Sequence, residues 1–295
     1  MRVAKVFDGT TPMLALVHGS GLYRATALET ILGSPLPAGI AGGFDERVFG
    51  LGLLGLDSLQ TELSSGMHLE DTRIHEPWAL LPPVGRDPAV LDLGVVAADG
   101  ELPRRVSGRA LFGDGASVSV PRAAEGAGVG FGIAFIVGDD LRRSSAEAAW
   151  SSVIGACLAV TCWLGDPAET PRADLWTREP TRARELGTSL GPWMVTRDEW
   201  PESLQLLPSV RAAQETARIA PFDVRFDGRR LGAALAEVSA FAQIRAGDVL
   251  VVTTPPTWVE GGTQVSVEAP RFGCLTSYLG GPPSIPGDGL ARIDR

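Results

Sequence analysis

The stretch VGFGIAFIVG, Val129 to Gly138, reads as a buried β-strand of Phe, Ile and Val that gives up two side chains at its start. Gly130 and Gly132 sit one pleat apart, so both missing side chains belong to the same face. A glycine inside a strand weakens it and leaves its face unfilled, which marks either a bulge or a close approach by another group.

The surroundings of this strand have the same character. From about Val90 onward, short apolar runs (VLDLGVV, ASVSV, ACLAVTCW, PWMVT, FDVRF, DVLVVTT, TQVSVEA) alternate with clusters of Gly, Asp and Pro. That spacing is β-rich. Two helices are expected in it. Ser144 to Glu147 has capping-box spacing ahead of AAWSSV, and AALAEVSAFAQ, Ala233 to Gln243, has helical periodicity. Asp227-Gly228, between FDVRF and RRLG, is a hairpin signal.

The N-terminal part is different in texture. Residues 1–75 offer two strands (RVAKVF and PMLALVH), a helix around Arg24 to Leu32 and glycine-rich turns, and the proline-rich EPWALLPPVGRDP, Glu76 to Pro88, reads as a connector. The expected class is therefore mixed and mainly β, with a small α+β N-terminal domain over 1–75 and a β-rich domain over 76–295.

Composition excludes several functions. The chain has 295 residues, 44% of them hydrophobic, enough for a large core. Its net charge of −9 argues against a nucleic-acid footprint. The most apolar stretch, Val153 to Leu164, is too short to span a bilayer, and Arg2 and Lys5 are not followed by a signal-peptide core, so a cytoplasmic protein without membrane partners is expected. Cys157, Cys162 and Cys274 form no CxxC pair, and with His18, His68 and His75 they give no zinc spacing. Lysine chemistry would have to use Lys5, the only lysine.

Four segments carry a resemblance. LGPWMVTRDEWPE (Leu190 to Glu202), FDVRFDGRRLG, AGDVLVVTTPP (Ala246 to Pro256) and EAPRFGCLTSYL resemble, in order and spacing, the C-terminal half of the fumarylacetoacetate hydrolase family. LLPPV (Leu80 to Val84), FGDGASVSVP (Phe112 to Pro121) and SSAEAAW fit the same template more loosely, so the resemblance spans about residues 78 to 280. It implies a β-roll core, a homodimer, and a divalent cation acting on enolisable oxo-acids or 1,3-dicarbonyl compounds.

The family's cation is held by an E-x-E on one strand and an Asp on the next, and here these positions fall on Gly130, Gly132 and Thr161. No carboxylate remains, and a hydroxyl with backbone carbonyls does not offset the dehydration of Mg²⁺. The catalytic His-Glu dyad would fall in GVVAADGELP, Gly94 to Pro103, which has Asp99 and Glu101 but no histidine. The family's active-site lysine corresponds to Arg182, able to bind a carboxylate or enolate but not to act as a base, and otherwise one solvated arginine of TREPTRARE. Thr253 and Thr254 replace the family's Gly-Thr and keep a hydroxyl and an N–H at a strand end. Thr161, Cys162 and Trp163 fall beside the vacated metal position, each with a packing explanation as well. Asp166 falls on the Asp of the family's A-R-D motif or begins a turn. Trp150, Trp163, Trp176, Trp193 and Trp258 are candidates for a pocket wall and equally for core.

Three readings follow. In the first, the protein is a metal-independent enzyme without cofactor, cyclising, cycloadding or isomerising a conjugated enolic carbonyl compound in specialised metabolism. Its catalytic residues are Arg182, Thr254 and Thr161, and its small-molecule substrate contacts Gly130, Gly132, Cys162, Trp163, Thr253 and Asp166. In the second it is a non-catalytic binding or scaffold relative. In the third, hydrolysis or decarboxylation of oxo-acids persists with ligands recruited from Asp139, Asp140 or Glu125. An open pocket at Gly130, Gly132 and Thr161 favours the first, a pocket filled by Trp163 or Phe131 the second, and acids outside the cleft remove the third.

Overall fold

A computed structural model describes residues 1–7, 9, 12–27, 48, 59–61, 63–65, 69–75, 79–85, 88–95, 104–106, 110–120, 126–164, 184–212 and 215–280. Most of the predicted Arg24–Leu32 helix lies outside these residues.

Nineteen strands are formed among the described residues. They are β1 (Arg2–Phe7), β2 (Pro12–His18), β3 (Gly21–Arg24), β4 (Arg73–Ile74), β5 (Ala79–Leu81), β6 (Val90–Val95), β7 (Arg104–Val106), β8 (Leu111–Phe112), β9 (Ala116–Val118) and β10 (Gly126–Val137). After them come β11 (Val153–Leu164), β12 (Arg184–Thr196), β13 (Ser203–Ala212), β14 (Glu215–Arg218), β15 (Phe222–Arg225), β16 (Val249–Thr253), β17 (Thr257–Glu260), β18 (Gln264–Ala269) and β19 (Gly273–Leu279). Two helices matter to the argument, α1 (Ala146–Ser151) and α2 (Gly228–Phe241).

The strands make two sheets. The larger runs β4-β3-β2-β1-β12-β11-β10-β16-β6-β7, with β5, β8 and β17 paired along it, and the smaller runs β14-β13-β18-β19-β9 with β15 beside β13. Strands on both sides of residue 75 share the larger sheet: β1 pairs with β12 through Arg2 opposite Val195 and with β5 through Lys5 opposite Leu81.

Strand β10 is buried along its whole length. Its alternation decides which core each residue enters. Val129, Phe131, Ile133, Phe135 and Val137 pack with Val265, Val267 and Leu275 of the second sheet and with Leu231 and Leu235 of α2. Ala134 and Ile136 face the other way, into a core shared with Val3, Leu14 and Leu16 of the N-terminal strands. A strand covered on both faces reads as a continuous apolar run, which is how this one reads after Gly132.

An aromatic cluster closes one end of the first core. Phe135 meets Trp150, Trp200 and Phe226 edge-on at centroid separations of 6.0, 5.7 and 5.8 Å, and Trp200 stacks on Phe226 at 5.0 Å. The indole N–H of Trp200 donates to the Val195 carbonyl, so the half-buried ring keeps a polar partner. Trp150 is therefore a packing residue.

Two local expectations are corrected. Asp227-Gly228 does not turn a hairpin; Asp227 caps α2, its carboxylate accepting from the N–H of Arg229 at 3.1 Å and Arg230 at 3.3 Å. Asp is favoured in both settings, and the amphipathic run after it makes this one a helix start. Likewise Ser145, rather than Ser144, caps α1 by accepting from Ala148 N–H at 3.2 Å. Ser144 is occupied elsewhere, its N–H donating to the Ser239 hydroxyl of α2.

Two substitutions test these assignments by urea unfolding. Phe135→Ala, at the centre of the aromatic cluster, is expected to cost about 3–5 kcal/mol. Asp227→Ala is expected to cost about 1 kcal/mol as a lost helix cap, with no change in strand signal by circular dichroism.

Candidate functional site

Pairing of β10 with β11 and with β16 brings five of the predicted residues, Gly130, Gly132, Thr161, Trp163 and Thr253, to one place. Gly130 lies directly opposite Thr161, and Thr161 directly opposite Thr188. On the other side of β10, Gly132 lies opposite Thr253. Residues paired across antiparallel strands share a face, so Gly130, Gly132, Thr161, Thr188 and Thr253 form one surface.

The bare face is longer than two residues. Gly126, Gly128, Gly130 and Gly132 occur at strict alternation, leaving half of β10 without side chains on this side. The signal was in the sequence as GAGVGFG. What the sequence does not carry is the identity of the groups that cover the row.

Those groups take up the space. A Cβ on Gly130 would meet the indole of Trp163 at 2.7 Å and the Thr253 Cβ at 3.1 Å, and one on Gly132 would overlap the Val252 carbonyl oxygen. A Cβ on Gly128 would meet Pro256 at 3.2 Å, and one on Gly126 would overlap the Val259 carbonyl oxygen and crowd the Trp258 ring. Of the two meanings of a strand glycine, close approach is the correct one. The expected open volume at Gly130 and Gly132 is absent: an indole fills the first position and neighbouring backbone the second.

The polar groups of the face are few and mostly engaged. Thr188 donates its hydroxyl to that of Thr161 at 3.2 Å, with both residues buried. Thr254 is bound into the strand pairing, its N–H donating to the Phe131 carbonyl at 2.8 Å and its hydroxyl accepting from the Phe131 N–H at 3.1 Å. Thr253 is 3% exposed and its hydroxyl has no hydrogen-bond partner. Trp163 is 7% exposed, whereas the placing of Cys162 at this face is corrected: paired with Val129, it is fully buried in the core on the opposite face of the sheet, away from Gly130 and Thr161. Arg182, Asp166, His68, Asp99, Glu101, Glu125 and Trp176 lie outside the described residues.

The donor set does not fit a hard divalent cation. Mg²⁺ and Ca²⁺ require several oxygen ligands, anionic ones among them, at about 2.0–2.6 Å. The face offers hydroxyls and an indole, and among the described residues no group of three or more His, Cys, Asp or Glu could hold a metal ion. Two of the three acids considered as replacements are far away. Asp139 and Asp140 are exposed beyond the opposite end of β10, where Asp140 accepts from Gln243 Nε2 and Ala246 N–H.

Other candidates separate from this face as well. His75 is exposed. Lys5 donates to the Val84 carbonyl at 3.0 Å. Trp193 donates its indole N–H to the Arg271 carbonyl. Cys157 is fully buried and desolvation pushes its thiol up to about 12, against a hydrogen bond from the Gly191 backbone, which makes it inert. Asp114, from FGDG, accepts from Thr276 N–H at 2.7 Å, and burial raises its pKa. It holds a turn to β19.

Comparisons with known proteins agree on the architecture. The family model for the fumarylacetoacetate hydrolase C-terminal domain matches residues 106–279. Maleylpyruvate hydrolase from Sphingobium sp. SYK-6 superposes with a TM-score of 0.63 at 19% identity, over 94% of this chain and 98% of that one. The 5-carboxymethyl-2-hydroxymuconate delta-isomerase from Mycobacterium smegmatis gives 0.63 at 18% identity, over 94% and 98%. At such identities the likeness establishes the fold. No curated protein matches the sequence. Among the described residues, no helix is long and apolar enough to cross a membrane.

Two measurements check the site. Gly130→Ala is expected to destabilise by about 1–3 kcal/mol through overpacking and to lose most of that cost in a Trp163→Ala background, whereas Gly132→Ala costs more and is insensitive to residue 163. With a thiol reagent, the native protein should present Cys274 alone, and Cys157 and Cys162 should react only after unfolding. Partial burial, with Asp114 and Glu268 adding to it against a hydrogen bond to Thr276, raises the Cys274 pKa, so its labelling should be slow and accelerate as pH rises.

Proposed function

The chain belongs to the fumarylacetoacetate hydrolase family, whose model covers more than half of it, and we propose that it is a metal-independent, non-catalytic binding or scaffold member, homodimeric and cytoplasmic. The observation that carries this is the indole of Trp163 seated on Gly130. In this strand register, that is where the family resemblance puts the first cation-binding glutamate. A ring in that position excludes both a cation and a reacting group, while the buried hydroxyls of Thr161 and Thr188 satisfy each other.

One observation favours a second reading, the metal-independent enzyme. The Thr253 hydroxyl is buried on the glycine face without a partner, and leaving such a group unpaired costs about 1–3 kcal/mol. A conjugated carbonyl that displaced the indole would accept a hydrogen bond from it. Isomerisation, cyclisation or cycloaddition of an enolic compound from specialised metabolism is the chemistry this would serve, by orientation and one hydrogen bond rather than by a base. The structural relatives include a maleylpyruvate hydrolase solved with manganese(II) and pyruvate and a 5-carboxymethyl-2-hydroxymuconate isomerase, which supplies the compound class to try first.

Calorimetric titration with Mg²⁺, Mn²⁺ and Ca²⁺ is expected to show no saturable binding, and maleylpyruvate with Mn²⁺ to release no pyruvate. Stoichiometric tight binding of any of the three, or pyruvate release, overturns the proposal. Metal-free turnover of an enolic oxo-acid that is lost in Thr253→Val would replace the first reading with the second.

A further inference from the structure

The chain crosses between its two sheets at a tight corner. β8 runs parallel to β12 in the larger sheet, with Phe112 opposite Ser189, and β9 runs parallel to β19 in the smaller one, with Ala116 opposite Ser277. Only Gly113, Asp114 and Gly115 lie between them. Gly113 has no room for a side chain, since a Cβ there would overlap the Leu80 carbonyl oxygen, and Gly115 takes a φ of +75°.

The corner sits over the seam where β12 meets β19. A Cβ on Gly191 would stand 3.8 Å from Leu275 and 3.9 Å from the Asp114 nitrogen. Val118, at the end of β9, is fully buried in the inter-sheet core with Leu275 and Leu279. β9 ends the path of the smaller sheet, and among the described residues β19 is its one strand partner. Whatever fastens the corner therefore governs access to that end of the core.

Asp114 is the fastening. Its Oδ1 accepts from the Thr276 N–H at 2.7 Å, while the Gly115 N–H donates to the Thr276 carbonyl at 2.8 Å, so one residue of β19 is held by both of its backbone groups. Beyond it, the Gly280 N–H donates to the Val118 carbonyl at 2.8 Å. The carboxylate is half-buried and forms no ion pair among the described residues. The titratable groups that face it come from the smaller sheet: the Cys274 thiol of β19 and, paired with that residue, Glu268 of β18. From β12 the corner meets Gly191 and from β5 it meets Leu80, and neither carries a charge. A carboxylate so placed loses hydration without gaining a cation, and its titratable neighbours can add only negative charge. Burial accordingly raises its pKa, against its backbone hydrogen bonds.

We propose that the β8–β9 corner is a proton-operated clasp: it is closed with Asp114 protonated, and ionisation of Asp114 loosens β9 from β19 and opens the adjoining end of the inter-sheet core. By linkage, a carboxyl whose pKa is raised in the closed corner favours that corner most at low pH, and the advantage is lost as pH rises through the raised value. Each unit by which that value exceeds the one in the open corner shifts the closing equilibrium about tenfold. The clasp is independent of the reading at the glycine face.

Amide hydrogen exchange on the full chain between about pH 4 and 8, corrected for the intrinsic exchange rate, tests it. Protection at Gly115, Thr276 and Gly280 should fall about threefold or more as pH rises, while the amides of β10 and β11 stay level. Asp114→Asn keeps a carbonyl oxygen for the Thr276 N–H and cannot ionise, so its corner protection should be independent of pH and equal to that of the wild type in acid. A carboxyl-carbon NMR titration of the wild-type protein should place the Asp114 midpoint above about 4, coincident with the change in protection, and it keeps the test decisive if the variant does not fold. Corner protection that is constant with pH, that changes equally in β10 and β11, or that keeps its pH dependence in folded Asp114→Asn overturns the proposal, as does an Asp114 midpoint at or below about 4.

Discussion

Strand β10 touches water on neither face, and every neighbouring element is constrained by that. One face supplies Val129, Phe131, Ile133 and Phe135 to the core beneath the second sheet, and the far half of the other supplies Ala134 and Ile136 to the core beneath the N-terminal strands. Between them runs the glycine row, which has no side chains with which to fill its own surroundings. Something else must approach, and the loop after β16, the start of β17 and Trp163 do so. A stripped strand face thus draws its neighbours in rather than leaving a cavity, as expected for interiors packed as densely as organic crystals.

That exchange changes the electrostatics of the site. A carboxylate cluster would need a cation to be tolerated at this depth. Glycines, two hydroxyls bonded to each other and an indole need none. The remaining irregularity is the Thr253 hydroxyl, the one polar atom of the face that is left unsatisfied. Family membership does not by itself assign a chemistry to this face, because folds carry sites rather than dictate them.

Much of this was legible before any coordinates. Alternation and punctuation located β1, β2, β6, β9, β10, β11, β15, β16, β18 and the end of β12, but not β13, and the connector over 76–88 contains β5; GPW with VTxDE and GDV identified the family. The pairing sets Gly130 opposite Thr161. Three things were not legible. Asp-Gly starts a hairpin or a helix by the same hydrogen bonds, so Asp227 was ambiguous until α2 was seen. Space beside Gly130 depends on where one indole lies, which no local pattern encodes. The setting of Asp114 depends on β8 and β9 joining different sheets across FGDG, which those four residues do not reveal.

The pairing of β1 with β12 sets a schedule for synthesis. β1 hydrogen-bonds on one side to β2, its immediate successor, and on the other to β12, which begins at residue 184. β5 covers Lys5 to Phe7 on that side once residues 79–81 are made, but the edge at Arg2 and Val3 stays open until β12 arrives. Contacts of such long sequence separation form late and slowly. The larger sheet is therefore completed only after most of the polypeptide has left the ribosome, and its earliest strands are the ones that most need shielding on the way.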